Sequence, residues 1–335
     1  MIEQVLKDSY NRAIRDLRVS VTDRCNFRCF YCLPHGEPRL APKEELLTYE
    51  EIEKACRIFV SLGIEKIRLT GGEPLLRRDI DTLMRKIASI PGVKDLALTT
   101  NGYFLAEQAH KLKAAGLKRV TISLDSLKPE VFRRSTGRDA LARVRDGIAA
   151  SQNAGLAPLK INAVIVRDHN EDEIVEMVAF ARTLGAEMRF IEYMPLDSAH
   201  NWSFAKVVTG REIRKRIEER FPLVPVYKEG APVGSETASR YLFADGMRGE
   251  VGIIAPVTEP FCGACSRIRL TSDGQIRTCL FSKNEHSLRD ALRSGMNESE
   301  IIRFIRDVVM QKEISHNINS PAFVQPARTM SLIGG

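Results

Sequence analysis

Short apolar runs alternate with amphipathic stretches from about residue 15 to residue 193. The runs are rich in β-branched and aliphatic residues, which predicts strands. The stretches between them repeat apolar residues at helical spacing, which predicts helices. In the stretch 49–61, Ile52, Cys56, Phe59 and Val60 fall on one helical face. The predicted strands are 14–21, 64–70, 94–99, 118–124, 158–166 and 187–193.

Six consecutive βα units imply a parallel sheet, which must either open into a doubly wound sheet or curl toward a barrel. Neither of the common nucleotide-binding fingerprints, GxGxxG and GxxxxGK followed by Ser or Thr, occurs in the chain. The sequence therefore predicts an α/β fold built on a partial (β/α)6 TIM-like barrel. In such a barrel the reactive groups lie at the carboxyl ends of the strands.

A smaller C-terminal part is expected beyond this barrel, because the alternation stops after the sixth strand. The stretch 221–240 is rich in Pro and Gly and resembles a connection. We therefore expect two domains, residues 1–220 and 221–335. In the second domain the pattern predicts a hairpin over 266–277 and a helix near 298–312.

Composition narrows the function classes. The chain has 335 residues, 44% of them hydrophobic and 28% charged, as expected of a globular protein. Neither a secretory signal nor an apolar segment of about 18 residues is visible, so we expect a cytoplasmic protein without a membrane span. Fifty Lys and Arg against 43 Asp and Glu give a net charge of +7, which suits an anionic ligand, either a nucleotide or nucleic acid.

Three cysteines, Cys25, Cys29 and Cys32, form a CxxxCxxC array just after the first predicted strand. Clustered thiols in a cytosolic protein indicate metal ligands. One interpretation is a structural zinc loop completed by His35 or by a distant residue. The other is a [4Fe–4S] cluster, in which three cysteines leave one iron open to bind a small molecule.

A second set, Cys262, Cys265 and Cys279, lies in the C-terminal part. Its CxxC pair and third thiol leave the same two interpretations open, a zinc site or an under-ligated cluster. Arg267 and Arg269 follow on one face of a predicted strand. Paired guanidinium groups beside an open iron would receive an anionic substrate that supplies the missing ligand.

The first array, with Tyr31 before its last cysteine, resembles the defining motif of the radical S-adenosylmethionine (SAM) enzymes. The run 69–74 (LTGGEP) follows the next strand and is similar to that family's GGEP motif. The resemblance implies that the open iron chelates SAM, whose reductive cleavage gives a 5′-deoxyadenosyl radical. It also implies SAM contacts from Tyr31, Gly72, Ser123 and Met194.

The order of CxxxCxxC, GGEP, CGxCSRIRLTSDG and a terminal Gly-Gly closely resembles the GTP 3′,8-cyclase family, which opens molybdenum cofactor biosynthesis. The resemblance spans residues 15–335 and implies two [4Fe–4S] clusters, the second holding the guanine of GTP. The radical would abstract hydrogen from ribose C3′, and this carbon would attack guanine C8. Arg18 is expected to act in catalysis as well as binding. The implied substrate contacts are Arg18, Arg68, Thr99, Lys160, Arg189, Arg267, Arg269, Gly334 and Gly335.

The same resemblance implies particular partners. These are a reductive electron donor of the flavodoxin or ferredoxin type, the next pathway enzyme (cyclic pyranopterin monophosphate synthase) and a second copy of the chain in a homodimer. Nucleic acid and membranes are not expected as partners. Two alternatives remain open from the residues: a radical SAM enzyme that modifies RNA or a peptide, and a non-catalytic zinc-binding nucleic-acid module.

Overall fold

One mostly parallel sheet organises the chain in the computed structural model, which describes residues 5–33, 40–197, 201–226, 236–321 and 323–334. Within these ranges the sheet has twelve strands in the order β12-β11-β10-β1-β2-β3-β4-β5-β6-β9-β8-β7. The strands are β1 Asp16–Ser20, β2 Lys66–Thr70, β3 Asp95–Thr100, β4 Arg119–Ser123, β5 Lys160–Ile165, β6 Glu187–Glu192, β7 Leu223–Pro225, β8 Ser239–Phe243, β9 Glu250–Ile254, β10 Arg267–Leu270, β11 Gln275–Arg277 and β12 His286–Ser287.

Helices connect the parallel strands, as the alternating pattern predicts. The first begins after Thr48, whose hydroxyl accepts a hydrogen bond from the Glu51 amide while the Glu51 carboxylate accepts one from the Thr48 amide. The helices of the described ranges are α1 Tyr49–Ser61, α2 Ile80–Ala88, α3 Leu105–Ala114, α4 Pro129–Thr136, α5 Leu141–Asn153, α6 Ile174–Thr183, α7 Gly210–Glu218, α8 Leu288–Arg293, α9 Glu298–Met310 and α10 Met330–Ile333. None of the helices described is long and apolar enough to cross a bilayer.

The predicted α/β fold is confirmed, and β1 to β6 are the six predicted strands. The sheet curls, because one cavity is lined by side chains from β1 to β6 and also from β9 and β10. Eight strands in a flat sheet would span more than about 30 Å, too far to share one cavity. The chain thus forms a partial barrel.

The C-terminal strands extend the barrel sheet at both edges. β10 pairs in parallel with β1, and β9 pairs in parallel with β6. The predicted hairpin is formed by β10 and β11, which pair antiparallel. Segments that follow the barrel in sequence therefore line the same interior as the barrel itself. The division into residues 1–220 and 221–335 stays a prediction.

A buried carboxylate joins the last barrel strand to the C-terminal part. Glu192, at the end of β6, is fully buried. Its Oε1 accepts a hydrogen bond from the Gly210 amide at 2.7 Å and another from the Thr258 hydroxyl. Its Oε2 accepts from the amides of Val257 at 2.8 Å and Thr258 at 2.9 Å. One side chain thus fixes β6, the start of α7 and the segment after β9.

Replacing this carboxylate should destabilise the fold. We expect Glu192→Ala to lower the free energy of unfolding by about 3 kcal/mol, because it leaves buried donors without an acceptor. Exposed Glu219 provides the control, and Glu219→Ala should change stability by less than about 0.5 kcal/mol. Chemical denaturation followed by circular dichroism measures both. Equal stabilities for the two variants would contradict this role of Glu192.

Candidate active site

The three cysteines of the first set line one cavity at the carboxyl ends of the barrel strands. This first cavity is lined by Cys25, Cys29 and Cys32, together with Tyr31, Gly72 and Ser123. The cysteine loop is fixed to the C-terminus of α4, because the Arg28 amide donates to the Thr136 carbonyl at 2.7 Å and the Phe30 amide to the Ser135 carbonyl at 3.1 Å. His35, the candidate fourth zinc ligand, lies outside the described residues.

Gly72 allows the two loops of the first cavity to touch. The Gly72 amide donates to the Thr22 carbonyl at 2.7 Å, and the Glu73 amide donates to the Arg24 carbonyl at 2.7 Å. A Cβ atom at position 72 would lie 2.2 Å from the Arg24 carbonyl oxygen, a separation that real atoms do not adopt. Glycine is therefore required here for close approach to the loop that carries Cys25.

Two buried carboxylates that the sequence analysis did not assign to the site also line the first cavity. Burial raises the pKa of Glu73 to about 7, although amides of Asn101 and Leu75 and the Thr100 hydroxyl donate to it. Burial likewise raises the pKa of Asp125 to about 6. The Tyr31 hydroxyl donates to Asp125 at 2.6 Å, which fixes the ring of Tyr31 beside the cysteines. Asp125 lies two residues after the end of β4, and that position near the carboxyl end of a strand was the available signal.

The first three thiols fit a cationic inorganic group. Burial raises the pKa of Cys25 to about 11 and that of Cys32 to about 12, and it raises the pKa of Cys29 well above its ordinary value. Thiolates this close also repel one another, so they need a positive centre to share. Among the described side chains, no three His, Cys, Asp or Glu residues are positioned around a single metal ion. Three thiols that line one cavity fit the three-cysteine ligation of an iron–sulfur cluster.

The second cysteine set lines a cavity next to the first. Cys262 begins a short 3-10 turn, Cys265 directly follows that turn, and Cys279 follows β11. Arg267 and Arg269 from β10 line the same cavity. Burial would raise the pKa of the Cys265 thiol, but the cations of Arg267 and Lys312 outweigh burial and lower it to about 6. The surroundings of Cys265 therefore favour the thiolate form of this cysteine.

The two cavities adjoin, since Thr99, Asn162, Ile191 and Met330 line both of them. Both cysteine sets therefore open toward one continuous interior. Met194, a predicted SAM contact, lines the second cavity, whereas the other three predicted SAM contacts line the first.

Three arginines stand in register on neighbouring strands of this interior. Arg18 on β1 is paired with Arg269 on β10 and with Arg68 on β2. Burial is the main cause that lowers the pKa of each guanidinium, to about 10 for Arg18 and well below the ordinary value for the other two, and neighbouring arginines add to it. No ion pair to a carboxylate is formed by these three within the described part of the chain. A cationic row that is largely removed from water and has no carboxylate partner is costly unless an anion binds it.

The partners of these cations are weak or neutral groups. Arg68 donates to the hydroxyls of Thr99 at 3.2 Å and Thr121 at 3.1 Å. The buried Nε of Arg267 has no partner in the structure. Such an orphan donor in a cavity wall is the signature of a contact that a ligand completes.

A third cavity lies at the amino ends of the strands and shares Arg18, Arg68 and Arg189 with the second. Lys160 and Arg189 also line it, and each forms an ion pair of 2.5 Å with Glu187. Three further cations line these walls but were not predicted as site residues from the sequence: Lys66, Arg119 and Lys312. Their strands and helix end carry no motif that distinguishes them from surface residues.

The C-terminal segment enters the same interior. Met330 and Ser331 line the first cavity, and Arg269 donates to the Gly334 carbonyl. Gly334 has a φ of +85°, and a Cβ atom there would lie 2.8 Å from Ser20 and Thr70, so only glycine fits. Gly335, the other predicted tail residue, lies outside the described residues.

Comparisons with known proteins agree with this arrangement. Residues 19–181 match the Radical SAM superfamily, and residues 186–318 match Molybdenum Cofactor Synthesis C. The chain is 47% identical to the GTP 3′,8-cyclase of Streptomyces coelicolor, over 99% of this chain and 96% of that protein. It is 44% identical to that of Rhodopirellula baltica, over 98% of this chain and 92% of that protein.

Two solved structures share the fold. Streptococcus suis SuiB bound to precursor peptide SuiA has a TM-score of 0.62 and 15% sequence identity, covering 93% of this chain and 68% of that chain. Native anSMEcpe with bound AdoMet has a TM-score of 0.59 and 15% identity, covering 90% of this chain and 82% of that chain. At this level of identity the likeness concerns the fold alone.

The contact between the GGEP loop and the cysteine loop can be tested by adding one methyl group. Gly72→Ala should destabilise the protein by about 2 kcal/mol, because the backbone must move away from the Arg24 carbonyl. Gly263, in the second cysteine loop, is the matched control, since its added Cβ meets nothing within 4 Å. Thermal unfolding of both variants measures the difference. A Gly72→Ala protein as stable as Gly263→Ala would refute the close approach.

Proposed function

The chain belongs to the GTP 3′,8-cyclase family of the radical SAM superfamily, and on that premise we propose how its residues divide the work of converting GTP to its 3′,8-cyclised isomer. The match to Molybdenum Cofactor Synthesis C agrees with a role at the first step of molybdenum cofactor biosynthesis. The match to GTP 3′,8-cyclases over nearly the full length favours GTP as the substrate over RNA or a peptide. It also favours an enzyme over the zinc-binding module that the sequence left open.

The first cavity is the proposed site of SAM and its iron–sulfur cluster. Cys25, Cys29 and Cys32 would ligate the cluster, which supplies the electron that begins the radical reaction when it is bound. The acidic groups of Glu73 and Asp125 face the same cavity and suit the positively charged SAM. Tyr31, Gly72 and Ser123 would contact SAM from the walls, and Met194 would contact it from the adjoining cavity.

The second cavity is the proposed site of a second [4Fe–4S] cluster and of the guanine base. Cys262, Cys265 and Cys279 would ligate this cluster and leave one iron for the base. The lowered pKa of Cys265 supports a thiolate ligand at this position. The open iron and the orphan donor of Arg267 would then hold the purine and its attached ribose between the two cysteine sets.

The observation that carries the proposal is the row formed by buried Arg269 and half-buried Arg18 and Arg68 beside the second cysteine set. A triphosphate bears about four negative charges, and bidentate guanidinium groups are its strongest protein partners. The third cavity continues this row with Lys160 and Arg189. We assign the triphosphate to the junction of the second and third cavities, with Thr99 contacting the nucleotide nearby. Arg18 would lie near the reacting sugar and act there as well.

The C-terminal Gly-Gly is proposed to complete the substrate site. Arg269 is held by the Gly334 carbonyl, so the tail aims one guanidinium at the nucleotide. Gly335 would extend further along the interior. A tail so placed also excludes water from the radical.

The proposed partners are those that membership of the family implies. An electron donor of the flavodoxin or ferredoxin type would reduce the first cluster, and cyclic pyranopterin monophosphate synthase would receive the product. We also propose a homodimer in the cytoplasm.

Product analysis tests the proposed reaction. Anaerobic incubation with SAM, GTP and dithionite should give 5′-deoxyadenosine and an isomer of GTP, both detected by mass spectrometry. Cys29→Ala should abolish both products, because it removes a cluster ligand. Cys56→Ala is the control, since Cys56 is buried in the core away from both cavities, and it should retain both products. If wild-type protein loaded with iron forms no isomer of GTP, the proposed reaction is wrong.

A substrate-site variant separates GTP binding from SAM cleavage. Arg269→Ala should weaken GTP affinity at least about 30-fold, or about 2 kcal/mol, because it removes a buried cation from the triphosphate site. Uncoupled SAM cleavage should persist, since the first cysteine set is intact. Arg293→Ala, which removes an exposed pair with Glu51, should leave GTP affinity unchanged. Anaerobic calorimetry measures both affinities, and equal values would contradict the assignment of Arg269.

A further inference from the structure

The second cysteine set is assembled from loops with little regular structure. Cys262 begins a turn of three residues, Cys265 directly follows that turn, and Cys279 follows the short strand β11. A three-thiol site needs these loops to hold their thiols together before the cluster arrives. Two buried cations contact the backbone of these loops. Arg12 contacts the loop that carries Cys262, and Lys312 contacts the segment that carries Cys279.

Arg12 fixes the first cysteine of the set. Its side chain is 7% exposed, and its Nε forms an ion pair of 2.6 Å with the buried Asp8. Its Nη1 donates to the Cys262 carbonyl at 2.8 Å and to the Ile314 carbonyl at 3.0 Å, and its Nη2 donates to the Glu313 carbonyl at 2.6 Å. The planar guanidinium thereby ties Cys262 to the segment after α9.

Lys312 fixes the other two cysteines from that same segment. It is 4% exposed, and its Nζ donates to the Arg267 carbonyl at 3.1 Å and to the Thr278 carbonyl. Arg267 lies two residues after Cys265, and Thr278 directly precedes Cys279. The ion pairs of the described residues do not include Lys312, so this buried ammonium faces the thiols without a carboxylate to neutralise it.

We propose that Arg12 and Lys312 form a clamp that positions all three cysteines of the second set for cluster binding. This inference rests on the proposed second cluster and assigns positioning residues that do not themselves ligate it. Lys312 also offsets the negative charge that three ligating thiolates bring to the site. The segment 311–314 after α9 thereby becomes part of the cluster site, although it contributes no ligand.

Iron retention in a chain that carries only the second cluster tests the clamp. The triple variant C25A/C29A/C32A serves as background, and after anaerobic reconstitution it should hold about four irons. Adding Lys312→Met should make iron loss to a chelator about tenfold faster, as expected when a residue supporting metal ligands is removed. Lys283→Met, at an exposed lysine close to Cys279 in sequence, should leave the rate unchanged. Lys312→Arg should restore slow loss, because it keeps a cation and its donors.

The outcomes separate the clamp from the second cluster itself. Iron loss from Lys312→Met as slow as from the background would overturn the clamp alone. A background that takes up no iron would overturn the second cluster and the clamp with it. Circular dichroism checks that each variant is folded. Should Lys312→Met fail to fold, Arg12→Lys decides: it keeps the charge but loses the fork to Cys262, and unchanged iron retention there would refute the clamp.

Discussion

Parallel pairing at both edges of the six-stranded barrel sheet is the constraint on which the rest of the structure depends. β10 pairs with β1 and β9 pairs with β6, so strands of the C-terminal part form part of the barrel wall. The register of β10 on β1 sets Arg269 beside Arg18, and the second cysteine set lies in the loop before β10 and in the segment after β11. The same pairing gives both cysteine sets one interior. On the proposed assignment, a radical made at the first set could act on a substrate held at the second without leaving the protein.

Placing several guanidinium groups in this interior costs free energy, and that cost indicates an anionic ligand. Burial penalises each guanidinium of the row, and their mutual repulsion adds to the penalty, as the lowered pKa of Arg18, to about 10, records. The fold keeps these cations beside hydroxyls and backbone carbonyls, which are weak substitutes for an anion. Glu187 holds Lys160 and Arg189 in place at the far end. A polyanionic nucleotide bound at the proposed site would relieve this repulsion and gain affinity from it.

Local patterns predicted what local forces decide. The six strands and the helix 49–61 follow from periodicity, and the cysteine arrays were visible from spacing alone. The edge pairings of β9 and β10 could not be predicted, because the choice of a strand partner depends on contacts distant in sequence. Four residues were not predicted as functional from the sequence for a similar reason: Asp125, Glu187, Arg12 and Lys312. Each acts through a side chain or carbonyl far along the chain, and no motif surrounds it.

We propose that two clusters, each short of one protein ligand, face one interior, where the first binds SAM and the second binds GTP. Electron paramagnetic resonance of the anaerobically reduced protein tests it most directly. The account predicts two cluster signals, one lost in Cys29→Ala and altered by SAM, the other lost in Cys265→Ala and altered by GTP. A single signal, or a second signal that GTP leaves unchanged, would contradict it.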